Sequence, residues 1–251
     1  GDQWRISTDD CEPADRVRIK EAMAPVWDRV AMPLLTGHRV IINSFLTKHP
    51  GPDSFLPIHQ DPTVVDERHH RSVTIWMALD DITRELGHGP LHVLPGSQRC
   101  GLEWRGTRTD PSYLTGLETL WDLAVPLDVA AGDVLIMDSR VLHGSPPNLA
   151  AEPRGAIAGV AAPWDATLVH AVGVEDDRVE VWEVDEAFFC ENSPGSLRQH
   201  LPSGYPVIDV VERAAAPTTA EALVAQHHFE RTWRGRQHAR LARLKARATG
   251  R

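Results

Sequence analysis

A histidine and an aspartate two residues apart, His59 and Asp61, lie in the stretch Leu56-Pro57-Ile58-His59-Gln60-Asp61-Pro62. Side chains alternate along a strand, so in extended chain an i, i+2 pair puts imidazole and carboxylate on one face. Pro57 and Pro62 suit a short piece at the rim of a sheet. A third donor stands far downstream, His143 in Asp138-Ser139-Arg140-Val141-Leu142-His143-Gly144-Ser145. Two histidines and one carboxylate can hold Fe(II) from one side and leave three coordination positions open. His-x-Asp alone is a common pattern, and its surroundings decide what it means.

Eleven residues after His143 comes Arg154, at the head of the apolar run Arg154–Ala161. An arginine at a strand start usually faces water. A planar guanidinium is nonetheless the group that grips a carboxylate through two parallel hydrogen bonds. Taken together, His59, Asp61, His143 and Arg154 are far more specific than any one of them.

These residues need a scaffold of short strands. Arg39–Lys48 reads as a strand, with Ile41, Asn43, Phe45 and Thr47 on one face; Asn43 is either a satisfied core amide or a site residue. Ser72–Leu79 is a strongly apolar strand carrying Trp76. The run 87–97 reads as turn, short strand and turn, with His88 and His92 as structural polar residues. Further strands are expected near 123–129, 133–138, 141–145, 155–162, 167–172 and 179–184, with Gly and Pro turns between most of them. Residues 12–35 predict a helix with Asp15 as a cap, divided into two if Pro25 and Pro33 break it. A second helix is expected near 219–233. This pattern predicts a mainly β fold, a double-stranded β-helix (jelly roll) with flanking helices. The expected organisation is one domain over 1–230 and a basic tail over 231–251.

Residues 99–122 lack strand alternation and hold Trp104, Arg105, Arg108, Tyr113 and Trp121. A loop of this length in a compact domain predicts a lid, in which Arg105 and Arg108 either meet an anionic substrate or are simply solvated. His69 and His70 read as solvated residues of a charged loop.

The 251 residues are 42% hydrophobic and 24% charged, enough for a core that folds unaided. A net charge of −9 argues against a general nucleic-acid binder. The charge is uneven, since 231–251 holds eight Arg or Lys and no acid. Such a run is most simply a solvated extension. Three scattered cysteines, Cys11, Cys100 and Cys190, predict reduced thiols and a cytoplasmic setting. No stretch reads as a membrane span or a signal peptide, so no membrane partner is expected.

Five segments then point one way: HQD at 59–61, TIWMALDD at 74–81, GPLHVLPGSQR at 89–99, GDVLIMDSRVLHGSPPN at 132–148, and Arg154. Over roughly 38–164 the chain resembles the phytanoyl-CoA dioxygenase family of Fe(II)- and 2-oxoglutarate-dependent oxygenases. One departure is Gln98, where the family often has His. The resemblance implies that His59, Asp61 and His143 are the catalytic iron ligands. It further implies that Arg154 holds the distal carboxylate of 2-oxoglutarate with help from Ser145, and that Asn43 and Trp76 flank the pocket. The implied partners are a small-molecule substrate and O₂. The implied reaction releases succinate and CO₂ and hydroxylates the substrate, for example an acyl thioester, an amino acid or a secondary metabolite. Desaturation, ring closure and epimerisation by the same chemistry stay open, as does a metal-binding jelly roll that is not an oxygenase. With Asp61 present, a halide is not expected among the ligands.

Overall fold

The computed structural model describes residues 3–99, 103–109 and 120–213. Eight strands build the central unit: β2 (His38–Lys48), β3 (Leu56–His59), β4 (Val73–Ala78), β5 (His92–Val93), β6 (Val125–Pro126), β7 (Val134–Asp138), β8 (His143–Ser145) and β9 (Arg154–Pro163). With β1 (Trp4–Ile6) at its edge, the larger sheet runs β1-β2-β9-β4-β7, and the smaller runs β3-β8-β5-β6. From β2 to β9 the chain crosses from one sheet to the other at every step except β5–β6, which pair with each other in the smaller sheet, giving a jelly-roll arrangement. The named pairings in both sheets are antiparallel.

A helix, α2 (Pro13–Val30), covers the outer face of the larger sheet; it follows a single turn, α1 (Ser7–Asp10). Met23, Trp27 and Ala31 pack there against Ile75, Ile157 and Ala161. Two expectations change here. Pro25 lies inside one continuous helix, and Asp15 is a first-turn residue, since the cap position is Glu12. Pro13 at the first helical position fixes φ for helix entry without any side-chain cap. Pro33 does end the helical run, in a 3-10 turn at Met32–Leu34.

In β2 the alternation expected from Ile41 fails. The register slips between Val40 and Ile42, so Ile41 is the extra residue of a bulge and the strand changes phase. Ile41 joins the inner core, while Asn43 turns outward and accepts a hydrogen bond from Trp27 Nε1 at 2.7 Å. The face that looks between the sheets carries Ser44, Leu46 and Lys48, all buried.

Beyond β9, a three-stranded sheet of β10 (Val169–Val174), β11 (Arg178–Glu183) and β12 (Val207–Glu212) extends the core through Val172 and Trp182. Two six-residue helices lie between β11 and β12, α3 (Glu186–Glu191) and α4 (Pro194–Gln199). Neither helix, nor β1, nor β12 was expected. The helix expected at 219–233, the basic tail and Cys100 lie outside the described residues. Among the described residues no helix is long and apolar enough to cross a membrane.

Candidate metal centre

His59 ends β3, His143 begins β8, and the two are direct cross-strand partners. Their ring centroids are 4.3 Å apart. Asp61 follows β3 by two residues, tied back by its own N–H to the Ser139 carbonyl at 3.1 Å. Asp61 Oδ1 lies 3.8 Å from His59 Nε2 and 3.7 Å from His143 Nε2. One donor atom from each of the three lies within 4.8 Å of the others, a spacing that one metal ion can bridge.

The ring orientation follows from the backbone. His59 Nδ1 meets the Pro57 carbonyl at 2.9 Å and His143 Nδ1 meets the Val141 carbonyl at 2.8 Å. A carbonyl can only accept, so Nδ1 carries the proton in both rings and each Nε2 is left with a free lone pair beside Asp61, available to a metal ion. Burial, and then the neighbouring His143, push the His59 pKa down to about 4, which keeps the imidazole in its metal-binding form. Gly144, directly after His143, lets β8 lie close against the backbone of β3. A side chain there would press to 2.9 Å from the Leu56 carbonyl and 3.0 Å from the Ile58 backbone.

Asp61 is held from three sides. Its Oδ2 accepts from the Thr74 hydroxyl on β4, which also contacts Ser139 Oγ at 3.1 Å. Its carbonyl accepts from Arg105 Nε at 2.8 Å. Arg105 is not a solvated or substrate-facing arginine; it is 3% exposed and bonds both oxygens of Glu67, at 2.6 and 3.0 Å. Arg108 is exposed and reaches the Arg198 carbonyl at 3.3 Å. The described ends of the expected lid are packed: Thr107 and Thr109 are buried, and Leu120 joins Ile58, Leu94 and Leu142. Residues 110–119, with Tyr113, lie outside the described residues. His69 is exposed, as read from the sequence.

Arg154 begins β9 and is 2% exposed, against the usual fate of an arginine at a strand start. Its Nη2 donates to Ser145 Oγ at 3.1 Å and to the Gly89 carbonyl at 3.0 Å, and its Nε to the His88 carbonyl at 3.2 Å. Nη1 has no protein acceptor among the described residues. Gly89 brings its carbonyl this close because φ is +58° and a side chain would collide with the Pro146 carbonyl. Trp76 shares the inner face of β4 with Thr74 and borders a cavity of about 270 Å³ with Leu91, Leu127 and Leu135. His59, Asp61, His143, Ser145, Arg154 and Trp76 therefore all face the space between the sheets; Asn43 does not. Thr74, Glu67 and Lys48 were missed by sequence reasoning. The available signal was the shared period of Thr74 with Trp76 and of Lys48 with Leu46.

The donor set fits an iron ion, because both Nε2 atoms and one carboxylate converge while each Nδ1 is already engaged. The buried Arg154–Ser145 pair fits a carboxylate, because one arm of a buried guanidinium still lacks an acceptor.

A family model described as phytanoyl-CoA dioxygenase matches residues 6–156. The chain belongs to the phytanoyl-CoA dioxygenase family. Among relatives of this family member, phytanoyl-CoA dioxygenase 1 of Oryza sativa subsp. japonica is 31% identical over 121 residues, 47% of this chain and 42% of that protein. Phytanoyl-CoA dioxygenase domain-containing protein 1 of Rattus norvegicus is 32% identical over 126 residues, again 47% and 42%. The match thus spans less than half the length of either relative. Among solved structures, this dioxygenase-family chain is similar to EvdO2 from Micromonospora carbonacea var. aurantiaca complexed with 2-oxoglutarate. The TM-score is 0.47 and the identity 24%, over 64% of this chain and 66% of that one. It is also similar to the epimerase SnoN in complex with Fe3+, alpha ketoglutarate and nogalamycin RO, with TM-score 0.46 and identity 17%, over 81% and 71%.

Proposed function

We propose that this chain is an Fe(II)- and 2-oxoglutarate-dependent dioxygenase that hydroxylates a small-molecule substrate. The observation that carries the reading is one of placement. The His59–Asp61–His143 cluster and the Arg154–Ser145 pair meet at β8, with Ser145 two residues beyond His143. A bound iron would supply O₂ activation at the expense of 2-oxoglutarate, with succinate and CO₂ as products.

This chain's residues do the rest. His59 and His143 each present Nε2 while Nδ1 is held by a backbone carbonyl, and Asp61 offers one oxygen while Thr74 holds the other. Arg154 neutralises and orients the far carboxylate of 2-oxoglutarate by charge-assisted hydrogen bonds. Trp76 and the apolar inner face keep water from the cosubstrate's carbon chain. His59 is the more open imidazole, 32% exposed against 7% for His143, so a substrate approaches from the β3 side.

The test is succinate formation from 2-oxoglutarate by iron-loaded protein across a panel of acyl thioesters, amino acids and polyketide or sugar metabolites. At least one compound is expected to raise succinate production and gain one oxygen atom. Asp61→Gly is expected to produce none. Wild-type turnover in that variant would sink the assignment of Asp61, and a product without added oxygen would move the reading to desaturation, ring closure or epimerisation.

A further inference from the structure

Lys48, the last residue of β2, has no exposed surface. It stands directly opposite Arg154 across the β2–β9 ladder. Its Nζ donates to Ser145 Oγ and the Pro146 carbonyl, and lies 3.3 Å from the Ser145 carbonyl. The Trp4 ring closes the remaining side at 5.6 Å. Ser145 Oγ is therefore shared by two basic side chains, Lys48 and Arg154, and donates its own hydrogen bond to the Gly89 carbonyl at 2.8 Å. Among the described residues neither basic group has a carboxylate partner. The acid whose charge reaches Arg154 is Asp80, which is itself engaged by the Gly155 N–H at 2.6 Å.

Two adjacent buried cations without an anion are costly, and such a pair relieves itself by giving up a proton. Arginine does not do so at ordinary pH; lysine does. We propose that Lys48 is a positioning residue of the cosubstrate end: it clamps Ser145 beside Arg154 and takes up a proton from water when a dicarboxylate binds there. This rests on the reading of the site given above. The groups around the amine agree with it. From β9 it meets Arg154; from β8 only the Ser145 hydroxyl and backbone carbonyls; from β1 only the Trp4 ring. Burial, and then the charge of Arg154, lower Lys48 to about 6, so the amine is mostly neutral at pH 7.5 in the free protein. A bound carboxylate beside it reverses the second cause and raises its proton affinity. Binding of 2-oxoglutarate then tightens as pH falls, by up to about tenfold per unit, until the pH reaches the free-protein value.

Anaerobic calorimetric titration of 2-oxoglutarate into Fe(II)-loaded protein tests this, run between pH 6 and 9 in two buffers of different ionisation enthalpy. Wild type is expected to take up a proton on binding at pH 7.5 and to show the pH slope. Lys48→Met is expected to bind at least about tenfold more weakly at pH 6.5, with a flat profile, no proton uptake and unchanged iron affinity. Lys48→Arg is expected to recover affinity without proton uptake. Wild-type binding with no proton exchanged, or Lys48→Met with wild-type affinity and slope, overturns the proposal and leaves the site reading intact. If Lys48→Met fails to fold, the wild-type proton count decides. If wild type does not bind 2-oxoglutarate at all, the site reading fails and this proposal with it.

Discussion

His59 and His143 face each other across β3 and β8, each with Nδ1 bound to the carbonyl two residues before it. The same local device repeated on two strands fixes both rings without help from another side chain. The third donor is different. Asp61 lies beyond the end of β3, and its direction depends on Thr74, Ser139 and Arg105.

Thr74→Val keeps shape and burial but frees Asp61 Oδ2. Loss of a partner that orients a metal ligand typically lowers affinity by about tenfold to a hundredfold. Iron affinity is expected to fall in that range with the unfolding midpoint nearly unchanged. Fe(II) competition against a chelator measures it, and wild-type affinity would show that the strand ends alone hold the carboxylate.

Arg105 and Glu67 form a buried ion pair, 3% and 7% exposed at the side chain. Arg105→Met leaves the Glu67 carboxylate buried without its cation, a loss of about 3–5 kcal/mol. The double variant with Glu67→Leu is expected to recover part of that. Urea unfolding of the four proteins closes the cycle. A single variant within about 0.5 kcal/mol of wild type would mean that Arg105 is not holding the segment after Asp61.

The jelly roll was legible because it rests on short-range chemistry, apolar strands between Gly and Pro turns. The three donors were legible from the segments that carry them, HQD and GDVLIMDSRVLHGSPPN, and not from strand alternation, since Asp61 lies past the end of β3. Other features depend on the assembled sheets. The bulge at Ile41 reverses the phase of β2, so Asn43 supports Trp27 instead of flanking the pocket. Arg105 and Lys48 look solvated in sequence because their buried partners, Glu67 and Ser145, are 38 and 97 residues away. α3 and α4 are too short for periodicity. Their legible signals were the caps, Asp185 and the Ser193–Ser196 capping box.

His170 is buried, with Nε2 3.0 Å from Thr107 Oγ1, and burial pushes its pKa down to about 4. The unfolded chain protonates this residue below about pH 6.5, while the folded chain resists until about pH 4. Stability is therefore lost as pH falls across that window, by about 2 kcal/mol between pH 7 and pH 5 from this residue. Urea unfolding of wild type and His170→Gln, both iron-free, is expected to show a shallower pH dependence in the variant. Parallel curves would mean that His170 is solvated or protonated in the folded chain.

The site reading stands on Arg154 as much as on the triad. Under anaerobic conditions and with Fe(II) saturating, 2-oxoglutarate is titrated against the visible charge-transfer band of wild type and Arg154→Ala. Hydrogen bonds to a charged group contribute about 1.5–3 kcal/mol, and about 1.4 kcal/mol is a factor of ten. Arg154→Ala is therefore expected to weaken 2-oxoglutarate by about tenfold to a hundredfold while Fe(II) binds as in wild type. A variant that binds 2-oxoglutarate as tightly as wild type, or a wild type that develops no band, would contradict the assignment of the Arg154–Ser145 pair to that cosubstrate.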